Sequence, residues 1–451
     1  MGRLQGLLGI ATILGVAFLV SNNKKKINFR TVGWGLALPL ILAVFVIKVP
    51  LGRTIFSFLG QLVNSLIDFA KQGASFVFGS LIPPVIDTAT HPEAIASVQT
   101  INDSANYVAN NAGAVMPLWF QNLHAQSVGF IFAFQVLPAI IFVGSLAGVA
   151  YYTGIMQLIV SCVAKLMVKS MGTSGAESLY AVSTIFVGQS EAPLFVRPYL
   201  EKMTKSELNS IMTGGMATIA GSVLFAYVAM LGPDLAPHVI TASIMGAPAG
   251  LALSKIIVPE VDTPETSGST EIVSEQRDNS IIEAISKGAN DGLHLALIVG
   301  AQLIAFIAIV ATINGILGFC GGLVGYSEFS IQTIFGWVLG PVAWLCGVPC
   351  WGDATTVGAL IGEKIVMNEM VAYTELLQKI QANALQAKSH LIATYALCGF
   401  ANFSSVGINI GCIGGLAPSR QSELAAMGFK ALLGGAMASL MTASLVGILG
   451  G

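Results

Sequence analysis

The sequence of 451 residues predicts an all-α polytopic membrane protein. Hydrophobic residues make up 54% of the chain and charged residues only 10%, whereas about 25% of a typical soluble domain is charged. The apolar runs are close to a membrane span in length and do not alternate with polar residues, which excludes a β-barrel. The net charge of −2 and the lack of a large basic block argue against nucleic-acid binding.

Long apolar runs predict the membrane spans. The strong ones lie at about 4–20, 31–49, 128–151, 211–232, 236–258, 292–318, 330–348, 391–417 and 423–450. Weaker, interrupted runs lie at 153–168, 174–200 and 352–378. The segment 51–80 repeats apolar residues at helical spacing and predicts an amphipathic helix at the membrane interface or against the bundle. No small-residue cleavage site precedes Asn22, so the first run is predicted to be a retained span.

The placement of lysine and arginine predicts a multi-pass topology with the N-terminus outside. The loop 22–30 is rich in lysine and should be cytoplasmic, whereas 84–125 has neither residue type and should be outside. The polar segment 259–290 is predicted to be a cytoplasmic linker between two halves. Lys379 and Lys388 fall on the outside in this scheme and disagree with it.

An internal repeat is the most informative feature of the organisation. One copy begins with GAESLYAVSTIFVGQSEAPLFV at Gly175 and the other with GDATTVGALIGEKIVMNEMVAY at Gly352. Each continues to a KSxL tetrapeptide and then to a span with polar residues at its middle. Paired interrupted segments are typical of transporters with the site at the repeat interface. The predicted units are the N-terminal spans with part of a scaffold (1–172), the first repeat (173–258), the linker (259–290), a scaffold span (291–344) and the second repeat (345–451).

Two acidic residues, Glu191 and Glu369, occupy equivalent places of the two copies inside apolar segments. A charged side chain at the centre of a membrane helix costs at least about 2.5–3.5 kcal/mol, so such residues mark functional positions or face water. Broken helices also expose backbone groups, which together with Gln189 and Ser190 can bind a polar solute or a cation.

The span 391–417 adds further polar groups. Asn402, Ser404 and Ser405 lie within four residues of one another and close to Phe400. Amides and hydroxyls offer hydrogen bonds, and an aromatic ring packs on a flat face. The combination favours a solute that has several hydroxyl groups and a ring.

Motifs of other function classes are missing from the sequence. It has no Walker A loop, no HExxH and no GxSxG, which argues against an ATP-driven pump, a metalloprotease and a serine hydrolase. It shows no repeated channel-filter motif. The six cysteines have no CxxC spacing and are interpreted as small packing residues. The sequence therefore predicts a secondary transporter without a bound cofactor, not an enzyme.

Three long motifs resemble those of the concentrative nucleoside transporter family. They are GQSEAPLFVRPYL at 188–200, NEMVAY at 368–373 and ALCGFANFSSVGINIGCIGGLAPSRQSELA at 396–425. The likeness covers roughly 30–450, and the chain is identified as a bacterial member of this family. The resemblance implies a homotrimer in the inner membrane, with about eight transmembrane helices and two re-entrant helical hairpins in inverted repeats. It also implies cation-coupled uptake of purine or pyrimidine nucleosides by an elevator movement.

The resemblance further implies roles for individual residues. Nucleobase contacts fall on Gln189, Ser190, Glu191 and Val223. Ribose contacts fall on Glu369, Asn402 and Ser405, with Phe400 beside them. An ionised glutamate that accepts from two hydroxyls is a sensible ribose ligand, because charge-assisted hydrogen bonds are about twice as strong as neutral ones.

The resemblance places a sodium site at Thr184, Val187, Thr218 and Ile219. Sodium-driven members usually have an asparagine where Thr184 stands, and the serine of GQSE is a feature of proton-driven relatives, whereas ATIAGSV is similar to the sodium type. Sodium is the favoured coupling ion, and a proton-coupled symporter is the alternative. A nucleoside-binding membrane receptor without transport is a further, different class of function. The sequence does not indicate base preference, stoichiometry or a role for the insertion 84–125.

Overall fold

The computed structural model of the chain describes residues 2–78, 132–267, 279–323, 325 and 329–450. Within these ranges the chain forms helices joined by turns and contains no strand, which confirms the predicted all-α class. The insertion 84–125 and part of the predicted linker lie outside the described residues.

The described residues form α-helices in three groups along the chain. The N-terminal group is α1 (Gly2–Val20), α2 (Phe29–Lys48), α3 (Pro50–Phe78), α4 (Phe132–Gln135), α5 (Leu137–Tyr152) and α6 (Ile155–Met171). The middle group is α7 (Gly175–Val187), α8 (Lys205–Ala217), α9 (Gly221–Leu231) and α10 (Ala236–Ile257). The C-terminal group is α11 (Ile281–Leu323), α12 (Ile331–Leu345), α13 (Trp351–Val366), α14 (Glu369–Gln381), α15 (Ala387–Leu397), α16 (Phe403–Leu416) and α17 (Gln421–Leu449). Short 3-10 helices cover Lys24–Lys26, Ala192–Lys202 and Pro418–Arg420.

Seven stretches of the described chain are long and apolar enough to cross a membrane, which agrees with the polytopic prediction. They are Arg3–Val20, Phe29–Lys48, Phe132–Tyr152, Lys205–Leu231, Ala236–Ile257, Ile281–Leu323 and Pro418–Leu449. Shorter apolar helices are Gly175–Val187, Ile331–Leu345 and Phe403–Leu416. The number of spans in the family fold, about eight with two hairpins, stays a prediction.

Helices α5 and α11 pack closely along each other through small residues. A Cβ atom on Gly144 would come within 2.4 Å of the Gly288 carbonyl oxygen, so only glycine allows this approach. Helix α11 has 43 residues and begins at Ile281, so residues 281–290 of the predicted linker are helical. Only 6% of the most apolar stretch of this helix is buried, so most of its surface is exposed in the single chain.

The two predicted repeats fold into matching series of helices. In the first, α7 leads to a tip at 188–191, followed by the 3-10 helix Ala192–Lys202, α8 and α9. Helices α7 and α8 each begin with a capping box, in which a serine or threonine and a glutamate satisfy the first backbone amides. In the second, α13 leads to a tip at 367–369, followed by α14, α15 and α16.

Each repeat contains a helix that is broken in the middle. The run 211–232 is divided between α8 and α9 by a break at 218–220, and the run 391–417 is divided between α15 and α16 by a break at 398–402. Gly399 lies in the second break with φ of +130°, a conformation that favours glycine. The two breaks touch, because the Phe400 amide donates to the Thr218 carbonyl oxygen at 3.1 Å.

Candidate functional site

The tip of the second hairpin presents a buried carboxylate. Glu369 is the first residue of α14, directly after Asn368, whose side chain caps the helix by accepting from the Val371 amide at 3.0 Å. The Glu369 side chain is only 6% exposed. Tyr227 donates its hydroxyl to Glu369 Oε1 at 2.7 Å, and Asn402 donates its amide to Oε2 at 3.0 Å. Both carboxylate oxygens are thus held in place by side chains from other helices.

The tip of the first hairpin presents a buried amide. Helix α7 ends at Val187, and Gly188 turns the chain with φ of +80°. Gln189 follows and donates its Nε2 to the Ser405 hydroxyl at 2.9 Å. Its Oε1 accepts from Asn409 Nδ2 at 2.7 Å. The amide therefore has a fixed orientation toward α16.

One residue links the two tips. Asn402 contacts Glu369 through its Nδ2 and accepts from the Ser405 backbone amide at 2.8 Å through its Oδ1. Ser405 in turn accepts from Gln189. We call the connected side chains the polar network, which consists of Gln189, Tyr227, Glu369, Asn402, Ser405 and Asn409. It contains four of the eight predicted substrate contacts and joins residues from both repeats.

The other two polar residues of the first tip face elsewhere. The side chains of Ser190 and Glu191 are exposed, and Glu191 lines a cavity of about 450 Å³ together with Lys287 and Asp291 of α11. The side chains of three consecutive residues at a tip cannot all point in the same direction, and of these three Gln189 belongs to the polar network. The base contacts predicted for Ser190 and Glu191 stay predictions.

The two predicted apolar contacts lie on either side of the network. Val223 is buried in α9, one helical turn before Tyr227, so both side chains share a face of that helix. Phe400 lies in the second break and is half-buried. Both residues belong to the same apolar cluster.

The predicted sodium ligands lie at one junction. Thr184 and Val187 are in the last turn of α7, and Thr218 and Ile219 are in the first break. A Cβ atom on Gly188 would come within 2.6 Å of the Ala220 Cβ, which shows how closely the end of α7 meets this break.

The chemistry of the junction suits a hard cation, which prefers oxygen ligands. The Thr184 hydroxyl donates to the Ala181 carbonyl oxygen at 2.8 Å, and the Thr218 hydroxyl donates to the Gly214 carbonyl oxygen at 3.1 Å. Each hydroxyl has lone pairs left for a cation. The helix end and the break supply backbone carbonyl groups in addition.

Two members of the polar network were not predicted from the sequence. Tyr227 lies in an apolar run, and its spacing of four residues from Val223 is the signal that could have found it. Asn409 lies four residues after Ser405, on the same face of α16. Both spacings are informative only when the neighbouring residue is already assigned to a site.

Three family models match the chain. The model described as "Na+ dependent nucleoside transporter N-terminus" matches residues 8–81, and the one described as "Na+ dependent nucleoside transporter C-terminus" matches residues 238–447. A model described as "Nucleoside recognition" matches residues 133–234. The last of these ranges includes the first hairpin.

Curated relatives match over nearly the whole chain. An uncharacterised transporter of Haemophilus influenzae is 40% identical over 99% of this chain and 98% of its own length. The putative nucleoside permease NupX of Escherichia coli is 36% identical over 99% of both chains. The sodium/nucleoside cotransporter 1 of Mus musculus is 37% identical over 99% of this chain, which covers 64% of that longer protein.

Solved structures of the transporter CNTnw have the same fold. One in an inward-facing substrate-bound state has a TM-score of 0.84 and 37% identity, and the match covers 100% of this chain and 98% of that chain. A CNTnw variant in an outward-facing state has a TM-score of 0.86 and 38% identity over 100% of this chain and 98% of that one. CNTnw has therefore been seen in two opposite states of access.

Proposed function

The chain belongs to the concentrative nucleoside transporter family, and from this premise we propose that it takes up nucleosides across the inner membrane together with sodium. The observation that carries the proposal is the polar network, which joins residues of both hairpins and both broken helices around Glu369. Like its family, the chain is a membrane transporter and not an enzyme.

We assign the ribose to the side of the network around Glu369. A carboxylate offers about four lone-pair positions, and Tyr227 and Asn402 use two of them. The remaining positions can accept from two vicinal hydroxyls. A buried carboxylate makes strong hydrogen bonds, because water does not compete for it.

We assign the base to the side of the network around Gln189. This amide both donates and accepts, and in the chain alone it does so with Ser405 and Asn409. A base edge also donates and accepts, so it can share or replace these bonds. Val223 and Phe400 offer apolar surface for the faces of the ring.

We assign sodium to the junction of α7 and the first break. A cation there would hold the end of α7 against the break, and Gln189 lies two residues beyond that end. Cation binding would thus order the tip that contacts the base, which is a direct physical basis for coupled binding.

For the movement we propose an elevator in a homotrimer. The two repeats form one body, and α5 with α11 forms the surface along which it moves. The contact of α5 and α11 is built from glycines, and the long exposed face of α11 is available to a second copy of the chain. Small residues at a helix contact allow close packing in a membrane.

The test is uptake of uridine and adenosine into proteoliposomes under an imposed sodium gradient or an imposed pH gradient. We expect accumulation under the sodium gradient, and its loss in Glu369→Ala and Glu369→Gln. The matched control is Asp262→Asn, which also removes a negative charge but at an exposed position. Trimer assembly measured by size-exclusion chromatography with light scattering separates loss of function from loss of folding.

Other outcomes would change the proposal in defined ways. Accumulation under the pH gradient alone would replace sodium by a proton, consistent with Thr184 at the position where an asparagine is usual. Binding of nucleoside without accumulation under either gradient would favour the receptor. Full uptake by Glu369→Gln would contradict the assignment of the ribose site.

A further inference from the structure

A lysine is buried beside the polar network. Lys364 lies in the last turn of α13 and is only 1% exposed. Its Nζ donates to the Ala396 carbonyl oxygen at 2.9 Å and to the Ser439 hydroxyl at 2.7 Å. A buried charge in a membrane protein is costly, so a lysine at this depth calls for a specific reason.

The three elements that meet at Lys364 have counterparts in the first repeat. Lys364 lies twelve residues after Gly352, and Val187 lies twelve residues after Gly175. Both are in the last turn of the first helix of a hairpin. Lys364 therefore takes the position in the second repeat that belongs, in the first repeat, to a residue of the candidate sodium site.

Its hydrogen-bond partners come from the helix before the break and the closing helix, the elements that also meet at the first break, although from different positions along them. Ala396 is in the last turn before the second break, and Thr218 and Ile219 directly follow the end of the helix before the first break. Ser439 belongs to α17, which closes the second repeat. In the first repeat the closing helix α10 also supplies a serine, since the Ser243 hydroxyl donates to the Ile219 carbonyl oxygen at 3.3 Å.

We infer that the Lys364 ammonium is a fixed cation that occupies, in the second repeat, the place equivalent to the sodium site of the first. Its Nζ uses the oxygens that a free cation would need there. Glu369 begins the next helix of the same hairpin, and both side chains are buried, so the ammonium compensates the carboxylate of the candidate ribose site. The transporter thus binds one sodium ion with each nucleoside. The Lys364 ammonium, which is part of the chain, takes the place of a second ion.

This inference rests on the proposed function in one respect, which is the position of the sodium site. It adds a role for a residue outside the polar network and a coupling number of one. A purely structural lysine would fill space and satisfy two acceptors. It would have no effect on how nucleoside binding depends on sodium.

The test is the dependence of uridine affinity on sodium concentration in the purified, solubilised protein, at constant ionic strength maintained with choline. By linkage, one coupled cation makes the Kd fall about tenfold for a tenfold rise in sodium below saturation, and two make it fall about a hundredfold. We expect the tenfold dependence in the unaltered protein. In Lys364→Ala, which opens the site, we expect weaker binding and the hundredfold dependence.

Two further variants serve as controls. Lys364→Met removes the charge and keeps most of the volume, so we expect weaker binding with the tenfold dependence. Lys379→Ala removes a partly exposed lysine that pairs with Glu375 at 3.6 Å, and it should leave both affinity and dependence unchanged.

The inference is overturned if Lys364→Ala binds more weakly with the same sodium dependence as the unaltered protein. It is also overturned if the unaltered protein already shows the hundredfold dependence, a result that requires no variant to fold. The coupling ion is judged separately. A protein indifferent to sodium whose Lys364→Ala variant gains a tenfold dependence would support the fixed cation and refute sodium coupling in the native transporter.

Discussion

The bases of the two hairpins are anchored by different chemistry. At the first base, Lys255 forms ion pairs with Glu177 at 2.8 Å and Glu260 at 3.1 Å, and it donates to Ser206 at 2.9 Å. The lysine and Glu177 are 7% and 1% exposed. The serine belongs to the KSxL tetrapeptide that opens the next helix.

At the second base the anchor is a carboxylate held by hydrogen bonds. Asp353 accepts from the Ser389 hydroxyl at 2.5 Å and from the Gln386 backbone amide at 3.1 Å. Ser389 is the serine of the second KSxL. The equivalent serine thus links hairpin to helix in both repeats, and among the described residues ion pairs surround this link in the first repeat alone.

The order is reversed at the tips. The first tip presents the neutral amide of Gln189, and the second presents the carboxylate of Glu369 with Lys364 nearby. Buried ion pairs therefore anchor the base of the first hairpin, and a buried carboxylate lies at the tip of the second. The ion pairs at the first base are therefore expected to contribute mainly to stability, whereas the role proposed for Glu369 at the second tip is binding.

The largest effect on stability should come from Lys255→Met. The change leaves the buried carboxylate of Glu177 and the half-buried one of Glu260 without a cation, and breaking a buried pair costs about 3–5 kcal/mol. We expect a large fall in the thermal unfolding midpoint of the solubilised protein. The double variant with Glu177→Gln should recover part of the loss, because it removes one unpaired charge.

The control for Lys255→Met is Lys202→Met. Lys202 pairs with Glu265 at 2.9 Å, but the two side chains are 67% and 48% exposed. Such a pair contributes at most about 1 kcal/mol, so the midpoint should hardly move. Equal effects of the two variants would contradict the special role of the buried lysine.

A smaller effect is expected from Ser389→Ala at the second base. The variant removes one hydrogen bond to a carboxylate, which contributes about 1.5–3 kcal/mol, while the Gln386 amide still donates to Asp353. The measurement is again the unfolding midpoint of the solubilised protein. A fall in the unfolding midpoint as large as that caused by Lys255→Met would show that the two anchors contribute similar free energies of stabilisation.

The smallest effect is expected at the first tip. Gln189→Ala removes the amide that we assign to the base, and the loss of one or two neutral hydrogen bonds at about 1 kcal/mol each predicts about five- to thirtyfold weaker nucleoside binding. Equilibrium binding of uridine measures it. The loss should be smaller than in Glu369→Ala, and the reverse order would contradict the division of roles between the tips.

Much of the fold followed from composition and periodicity. The low charge content predicted a membrane protein, and apolar runs such as 4–20, 31–49 and 236–258 match helices to within a few residues, whereas 211–232 and 391–417 are each divided by a break. Ile281, within the predicted linker 259–290, begins a helix whose first turns are amphipathic. A hydropathy pattern identifies the part of a helix that lies in lipid and misses the part that extends beyond it.

The candidate site was predictable only in part. Glu369, Asn402 and Gln189 stand out as polar residues in apolar surroundings, and they meet in the structure. Tyr227 and Asn409 join them through contacts between distant segments, which no local pattern contains. The direction of the Glu191 side chain also depends on tertiary packing. The sequence therefore could not show which residues of the first tip belong to the polar network.

The contact between the two breaks has a consequence for how ion binding and nucleoside binding are linked in the proposed transport cycle. Thr218, a candidate cation ligand, gives its carbonyl oxygen to the amide of Phe400, two residues from Asn402 of the candidate ribose site. A shift of this single peptide group would reach both broken helices. In the proposed cycle, ion and nucleoside would share one mechanical element, and by thermodynamic reciprocity each would raise the affinity of the other by the same factor. A carrier loaded with only one of the two would then be scarce.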